Sequence, residues 1–188
     1  MLAACGDDSS DADDNSETTA AEAGAGTVTI EHVDGETEVP VASERIVALD
    51  AQWTDVLVAM DHAPVGYIAD PNVEGGSFPW RGDDLDAATA MTATDQLPWE
   101  QIAALQPDLI VVAYFAQSQA DYDRLTAIAP TIATLSDSQV DTWQDITTTA
   151  GTVLGDEDKA AEVIEETNAS VEKVAESCRA SMARPTSW

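Results

Sequence analysis

Residues 45–67 read RIVALDAQWTDVLVAMDHAPVGY, and the order of their side chains decides the fold class. Ile46, Val47, Ala48 and Leu49 form the continuous apolar run of a strand buried on both faces. Asp50-Ala51-Gln52 interrupts it as a polar elbow. Trp53, Val56, Leu57 and Met60 then recur at helical spacing, one face of an amphipathic helix. Pro64 closes the unit, and Val65-Gly66-Tyr67-Ile68 resumes strand character. A strand-to-helix elbow of this kind belongs at the carboxyl edge of a parallel sheet, where open α/β folds bind their ligands.

Downstream the pattern repeats. Pro98 opens a helix over residues 99–105, with Glu100 near its positive end, and Pro107 ends it. Residues 109–114, LIVVAY, form the clearest buried strand of the chain. A helix over about residues 119–129 carries Tyr122, Leu125 and Ile128 on one face. Pro130 stops it, and residues 131–135 make the next strand. Trp143, Ile146, Ala150, Val153 and Leu154 mark a further amphipathic helix ending at Gly155. Beyond it, one apolar stripe runs from Ala160 to Val174 without a breaker, predicting a long, largely self-standing helix. Alternating strands and helices argue for an α/β fold, a Rossmann-like parallel sheet with right-handed crossovers. Upstream, two β-rich arms, residues 27–30 and 36–40, flank Asp34-Gly35, which predicts a hairpin with a type I′ turn. Residues 69–94 hold Pro71, Gly75-Gly76, Pro79 and Gly82 and read as one long irregular loop, a length that in a compact domain points to function.

The 188 residues suffice for one good-sized domain or one lobe of something larger. A formal charge of −29 with only seven Lys and Arg excludes a nucleic-acid partner, since phosphate binding needs clustered cations. No apolar run is long enough to span a bilayer. Residues 7–26 carry seven acidic side chains and no basic one, a polar tether. Before it, Leu2-Ala3-Ala4-Cys5-Gly6 resembles a bacterial lipobox, making Cys5 the expected lipid-modified residue and the extracytoplasmic face of the cell membrane the expected location. The charged and apolar parts of a signal peptide do not precede Leu2, so a misplaced or trimmed start is expected. No bridge is expected between Cys5 and Cys178. The organisation read from these features is a lipobox and acidic tether over 1–26, a binding lobe over 27–155 and the start of a backbone helix with an aberrant tail over 156–188.

Four segments in order, VPVASERIVALD, TDVLVAMDHAPVGY, LPWEQIAALQPDLIVVAYF and YDRLTAIAPTIATL, resemble the iron-siderophore branch of ABC-transporter substrate-binding proteins, over about residues 28–176. The resemblance implies a two-lobed protein joined by one long backbone helix. It also implies a monomer that captures a ferric siderophore outside the cell membrane and delivers it to an ABC permease. The iron travels inside the ligand, so no cofactor is implied. A haem- or cobalamin-binding member of the same fold is the alternative. The last residues, 178–188, leave the family's pattern, as a truncation or frameshift would; on that reading the second lobe is absent and the chain is a fragment without function.

The candidate contacts follow from position. Gln52 sits at the first elbow and suits a polar contact, helped by free amides at the helix start; Trp53 serves there equally as core or as ligand contact. Trp80 and Arg81 lie in the long loop and combine stacking with charge, which suits an anionic, aromatic-rich ferric complex, or else they form a surface ion pair. Tyr114 and Phe115 end the buried strand at the same edge, reaching the cleft or lidding the core. Leu135-Ser136 ends the following strand and is a weaker candidate. Glu100 resembles the acidic residue with which the family docks on permease arginines, or simply favours its helix end.

Other chemistries lack their residues. A metal site would need several His or carboxylate ligands to converge, and His32 falls in the hairpin while His62 follows a helix, so none is predicted. Asp50 ends a strand as a phospho-acceptor does, but the only lysines, Lys159 and Lys173, fall on the last helix. Neither a GxSxG elbow nor a GxxxxGK loop occurs, so no enzyme activity is expected.

Overall fold

The structure is a computed structural model describing residues 26–94, 96–113, 118–137 and 140–182, with side chains to residue 180. A hairpin comes first, β1 Thr27–His32 paired antiparallel with β2 Gly35–Pro40. The α/β lobe follows: β3 Ile46–Ala48, α1 Ala51–Ala59, β4 Gly66–Ile68, β5 Thr89–Met91, α2 Trp99–Ala104, β6 Leu109–Val111, α3 Gln119–Thr126, β7 Thr131–Ile132 and α4 Trp143–Leu154. The helix α5, Glu157–Met182, ends the described chain. Five strands form one parallel sheet in the order β5-β4-β3-β6-β7.

The unbroken apolar runs have the cause inferred from them. Ile46 and Ala48 enter one core with Trp53, Leu57, Ile146 and Val153, whereas Val47 and Leu49 enter the other with Ile102 and Leu125. The hairpin, α1 and α4 therefore cover one face of the sheet, and α2 and α3 the other, so alternate side chains are apolar on both faces. Gly155 takes the left-handed conformation after α4 (φ +71), as the sequence required of a C-terminal glycine. Gly151 lets α5 approach α4: a Cβ there would lie 2.6 Å from the Cβ of Ala160. Past that contact α5 leaves the lobe. Ala160 is buried, Val163 half-buried, and Val171 and Val174 are 61% and 62% exposed.

Two readings of local structure need correction. The hairpin register pairs His32 with Gly35, so the two-residue turn is Val33-Asp34 rather than Asp34-Gly35. A type I′ turn needs positive φ at both central residues, and neither Val33 nor Asp34 has it; Gly35 alone does, at φ +123. Residues 69–94 are not one irregular loop. They contain two 3-10 turns and the edge strand β5, whose Met91 side chain is fully buried under the sheet.

The hairpin is fastened to the lobe through His32. Its Nε2 lies 2.9 Å from Thr37 Oγ1 and 3.3 Å from Tyr122 Oη, while Thr37 Oγ1 donates to the Thr131 carbonyl. Nδ1 accepts the Asp34 amide, which assigns the proton of the neutral ring to Nε2. Burial holds the His32 pKa below its ordinary value, against a smaller opposing pull from Asp34.

Candidate functional site

The strand order reverses at β3. The chain builds outward to β4 and β5, then crosses back to lay β6 on the other side of β3. The crevice above the carboxyl ends of β3 and β6 is thus the topological switch point, where adjacent connections leave in opposite directions and open a gap.

Asp50 stands in that gap, 1% exposed. Its Oδ1 accepts the Trp53 amide at 3.0 Å and caps α1, and its Oδ2 accepts the Ala113 amide beyond β6 at 2.8 Å. Burial raises its pKa to about 6, the backbone amides of Trp53, Ala113 and Gln52 oppose the rise, and the nearby Asp141 adds a little to it. The Ala113 carbonyl in turn accepts Thr134 Oγ1 at 2.6 Å, and the Thr134 carbonyl accepts the Val33 amide at the hairpin turn. A string of hydrogen bonds therefore runs along the carboxyl edge from the hairpin to the start of α1, and grips Ala113 at both its N–H and its C=O.

The predicted contacts lie around this string. Gln52 is half-buried in the first turn of α1, and its Oε1 is buried with no donor among the described residues. Trp53 is 0% exposed within the core beneath, and its indole N–H is also without a partner. The turn Pro79–Arg81 folds over α1. Arg81 is 1% exposed, with Nε 2.6 Å from Asp55 Oδ1 and Nη2 donating to the Ala51 carbonyl. Its guanidinium lies 5.0 Å from the centre of the Phe78 ring. Trp80 also donates to Asp55 Oδ1, at 3.2 Å, and stacks on Phe78 with centroids 4.4 Å apart and planes 9° apart. Trp80 is 68% exposed.

β7 ends at Ile132, so Leu135 and Ser136 do not end the strand as expected but lie just beyond it; both are half-buried, and both amides are held by the buried Asp141. Glu100 is exposed in the first turn of α2, and beside it Trp99 packs under the Arg124 guanidinium at 4.0 Å. Tyr114, Phe115 and Cys5 lie outside the described residues. The structure adds four residues that sequence reasoning passed over: Asp55, Phe78, Thr134 and Asp141. Phe78 had a signal, an aromatic two residues before Trp80. Asp55 lies 26 residues from Arg81, and no local pattern joins them.

Residues 41–188 match the family model described as periplasmic binding protein. The chain belongs to the periplasmic binding protein family. Among curated members it is 31% identical over 173 residues to the probable siderophore-binding lipoprotein YfiY of Bacillus subtilis, covering 87% of this chain and 48% of YfiY. It is 32% identical over 149 residues to YhfQ of the same organism, a putative ABC transporter substrate-binding lipoprotein, covering 79% of this chain and 45% of YhfQ. The chain thus spans about half the length of the curated relatives it matches. Among solved structures, Staphylococcus aureus SirA in complex with staphyloferrin B superposes with a TM-score of 0.71 at 30% identity, covering 84% of this chain and 52% of SirA. Streptococcus pneumoniae PiaA in complex with ferrichrome gives a TM-score of 0.70 at 27% identity, covering 80% of this chain and 52% of PiaA. The fold of this periplasmic binding protein family member is therefore the α/β binding-protein fold, of which the chain supplies the N-terminal part.

Proposed function

We propose that this chain belongs to the extracytoplasmic solute-binding component of an ABC importer, which captures a ferric siderophore and passes it to a membrane permease. The observation that carries the reading is the 31% identity over 173 residues to a siderophore-binding lipoprotein. The carboxyl edge supports it physically. An exposed, stacked Trp80, the unmet acceptor of Gln52 and the rigid string through Asp50 and Ala113 suit reversible capture of a bulky ligand rather than bond-making chemistry. Trp80 and Gln52 touch the ligand. Arg81 and Trp53 act from below, one locking the turn that carries Trp80 and the other filling the floor. Tyr114 and Phe115, which follow β6 in the sequence, are the remaining proposed contacts. The protein acts as a monomer, tethered to the membrane through lipidated Cys5.

Titrating the intact protein with ferric hydroxamate, catecholate and carboxylate siderophores, with tryptophan fluorescence as the readout, tests the proposal. Saturable quenching by at least one class is expected. Quenching by haem or cobalamin instead would move the chain to another ligand. Glu100 is proposed as the permease contact: Glu100→Arg should leave the ligand Kd unchanged and abolish uptake by whole cells. Loss of ligand binding itself would contradict a docking role.

A further inference from the structure

Asp50 spans the switch point with a single carboxylate. It is 1% exposed, and no basic side chain pairs with it among the described residues. A carboxylate buried without a cation is costly, and this one is held by backbone amides instead, Trp53 on Oδ1 and Ala113 on Oδ2. The first bond fixes the elbow that carries Gln52. The second fixes the end of β6, where the Ala113 carbonyl is held in turn by Thr134 Oγ1. Capping α1 needs only the first bond, and a hydroxyl would make it without burying a charge, as Ser118 does for α3 and Thr142 for α4. The second bond joins residues 63 positions apart and does nothing for the helix. Of the charged groups around Asp50, Asp141, from the segment between β7 and α4, adds a little to its hold on a proton. Arg81 reaches the neighbouring Ala51 carbonyl with its own charge matched by Asp55.

We infer that Asp50 is the positioning residue of the ligand site: ionised, it locks the Gln52 elbow to the end of β6, and protonated, it frees one of the two, so that ligand is held at neutral pH and let go in acid. The inference rests on the siderophore reading above and names a control on the same site. A carboxylate offers acceptors on both oxygens, whereas a carboxylic acid turns one of them into a hydroxyl with a hydrogen of its own to place. Whichever oxygen takes the proton, the amide of Trp53 or of Ala113 loses its charge-assisted acceptor, and the bridge opens. Burial raises the pKa of Asp50 to about 6, so the change falls just below neutrality. Asp50 is already 1% exposed, so a ligand seated above it adds little desolvation, and the hydrogen bonds set the sign: ligand favours the ionised form. Folding responds in the opposite sense, since a raised pKa means that protonating Asp50 stabilises the folded chain. Affinity lost in acid is therefore not unfolding driven by Asp50.

The test is the pH profile of Kd for the intact wild-type protein and for Asp50→Asn, from about pH 7.5 to about pH 5. The probe is whichever of ferrichrome, ferric enterobactin and ferric citrate binds tightest at the upper pH. At the lower pH only about a tenth of wild-type chains keep Asp50 ionised and competent, so Kd should rise about tenfold. Asn accepts one amide through Oδ1 and turns the Nδ2 donor towards the other, so Asp50→Asn mimics the protonated state. It should bind about tenfold more weakly at the upper pH and change less than about twofold across the range. The same probe serves both proteins, so its own protonation cancels. Wild-type affinity of Asp50→Asn at the upper pH, or an unchanged pH slope in it, would overturn the inference and leave the siderophore reading intact. Should Asp50→Asn fail to fold, amide exchange of the unliganded wild type decides. Protection of the Ala113 or the Trp53 amide should fall at least about fivefold between the two pH values, while Val112, whose amide is bonded to the Ile132 carbonyl, keeps its own. Unchanged protection at both amides would overturn the inference. Binding of none of the three complexes would remove the siderophore reading, and this inference with it.

Discussion

Replacing Trp53 by Ala is expected to lower the stability of the chain by about 3–5 kcal/mol, the range for a large aromatic side chain cut out of a packed core. Trp53 is 0% exposed and packs in the core with Val56, Leu57, Ile146 and Val153, so the space it leaves is walled by two helices and the sheet. Trp80→Ala should behave in the opposite way. That ring is 68% exposed, so its loss should change stability by less than about 1 kcal/mol, as surface substitutions do. Ligand affinity should instead fall about tenfold, the worth of one good aromatic contact with its buried area. Urea melts and siderophore titrations of the two variants check the pair. A stable Trp53→Ala chain, or a Trp80→Ala chain that melts early and binds normally, would reverse the assignment of floor and platform.

Asp50→Ala carries the second large effect. Its carboxylate is the acceptor for the buried amides of Trp53 and Ala113, and leaving each unmet costs roughly 1–3 kcal/mol. Removing a buried charge offsets part of this, so a net loss of about 2–3 kcal/mol is expected at neutral pH. The pH dependence gives the sharper signature. The folded-state pKa of about 6 lies above the ordinary carboxylate value, so between the two the folded chain binds more protons than the unfolded chain. Asp50 therefore penalises folding in full above pH 6, and the penalty is relieved as pH falls from 6 towards 4. His32 works the other way. Its depressed pKa contributes stability above the ordinary histidine value, and this is lost as pH drops through and below it. The wild-type chain mixes the two slopes, so the informative quantity is the difference between wild type and Asp50→Ala. That difference should shrink as the pH is raised from about 4 to 6, because only the wild type acquires a buried charge on the way. A difference that does not change with pH would mean that Asp50 titrates normally.

The parts of the fold that were legible are those where one local cause dominates. Ile46-Val47-Ala48-Leu49 and Leu109-Ile110-Val111-Val112 could be nothing but doubly buried strands, and Pro98 and Gly155 mark helix boundaries through their own backbone limits. The hairpin was legible as a pair but not in its turn, because only Gly35 takes positive φ and the loop moved one residue back. The strand β5 was not legible at all. Thr89-Ala90-Met91 has one buried side chain and no alternation long enough to read, and it is a strand because Ala69 and Thr89 find amide partners along β4 and β5.

The site divides along the same line. Gln52, Trp53 and the strand-ending Asp50 follow from the elbow, a feature of sequence order. The neutralising of Arg81 by Asp55, and the grip of Asp50 and Thr134 on Ala113, join residues 21 to 63 positions apart, and no spacing rule connects them. An isolated arginine in an acidic chain reads as a free charge until its partner is seen, and here Arg81 is buried and matched by Asp55.

Amide hydrogen exchange of the intact protein, with and without a saturating ferric siderophore, tests most directly the claim that ligand is held at the carboxyl edge of the sheet. Protection should appear at residues 50–54, at the 77–82 turn and at residues 112–113 and 133–136, with the amino edge around residues 105–108 unchanged. Protection confined to α5 or to the amino edge would contradict it.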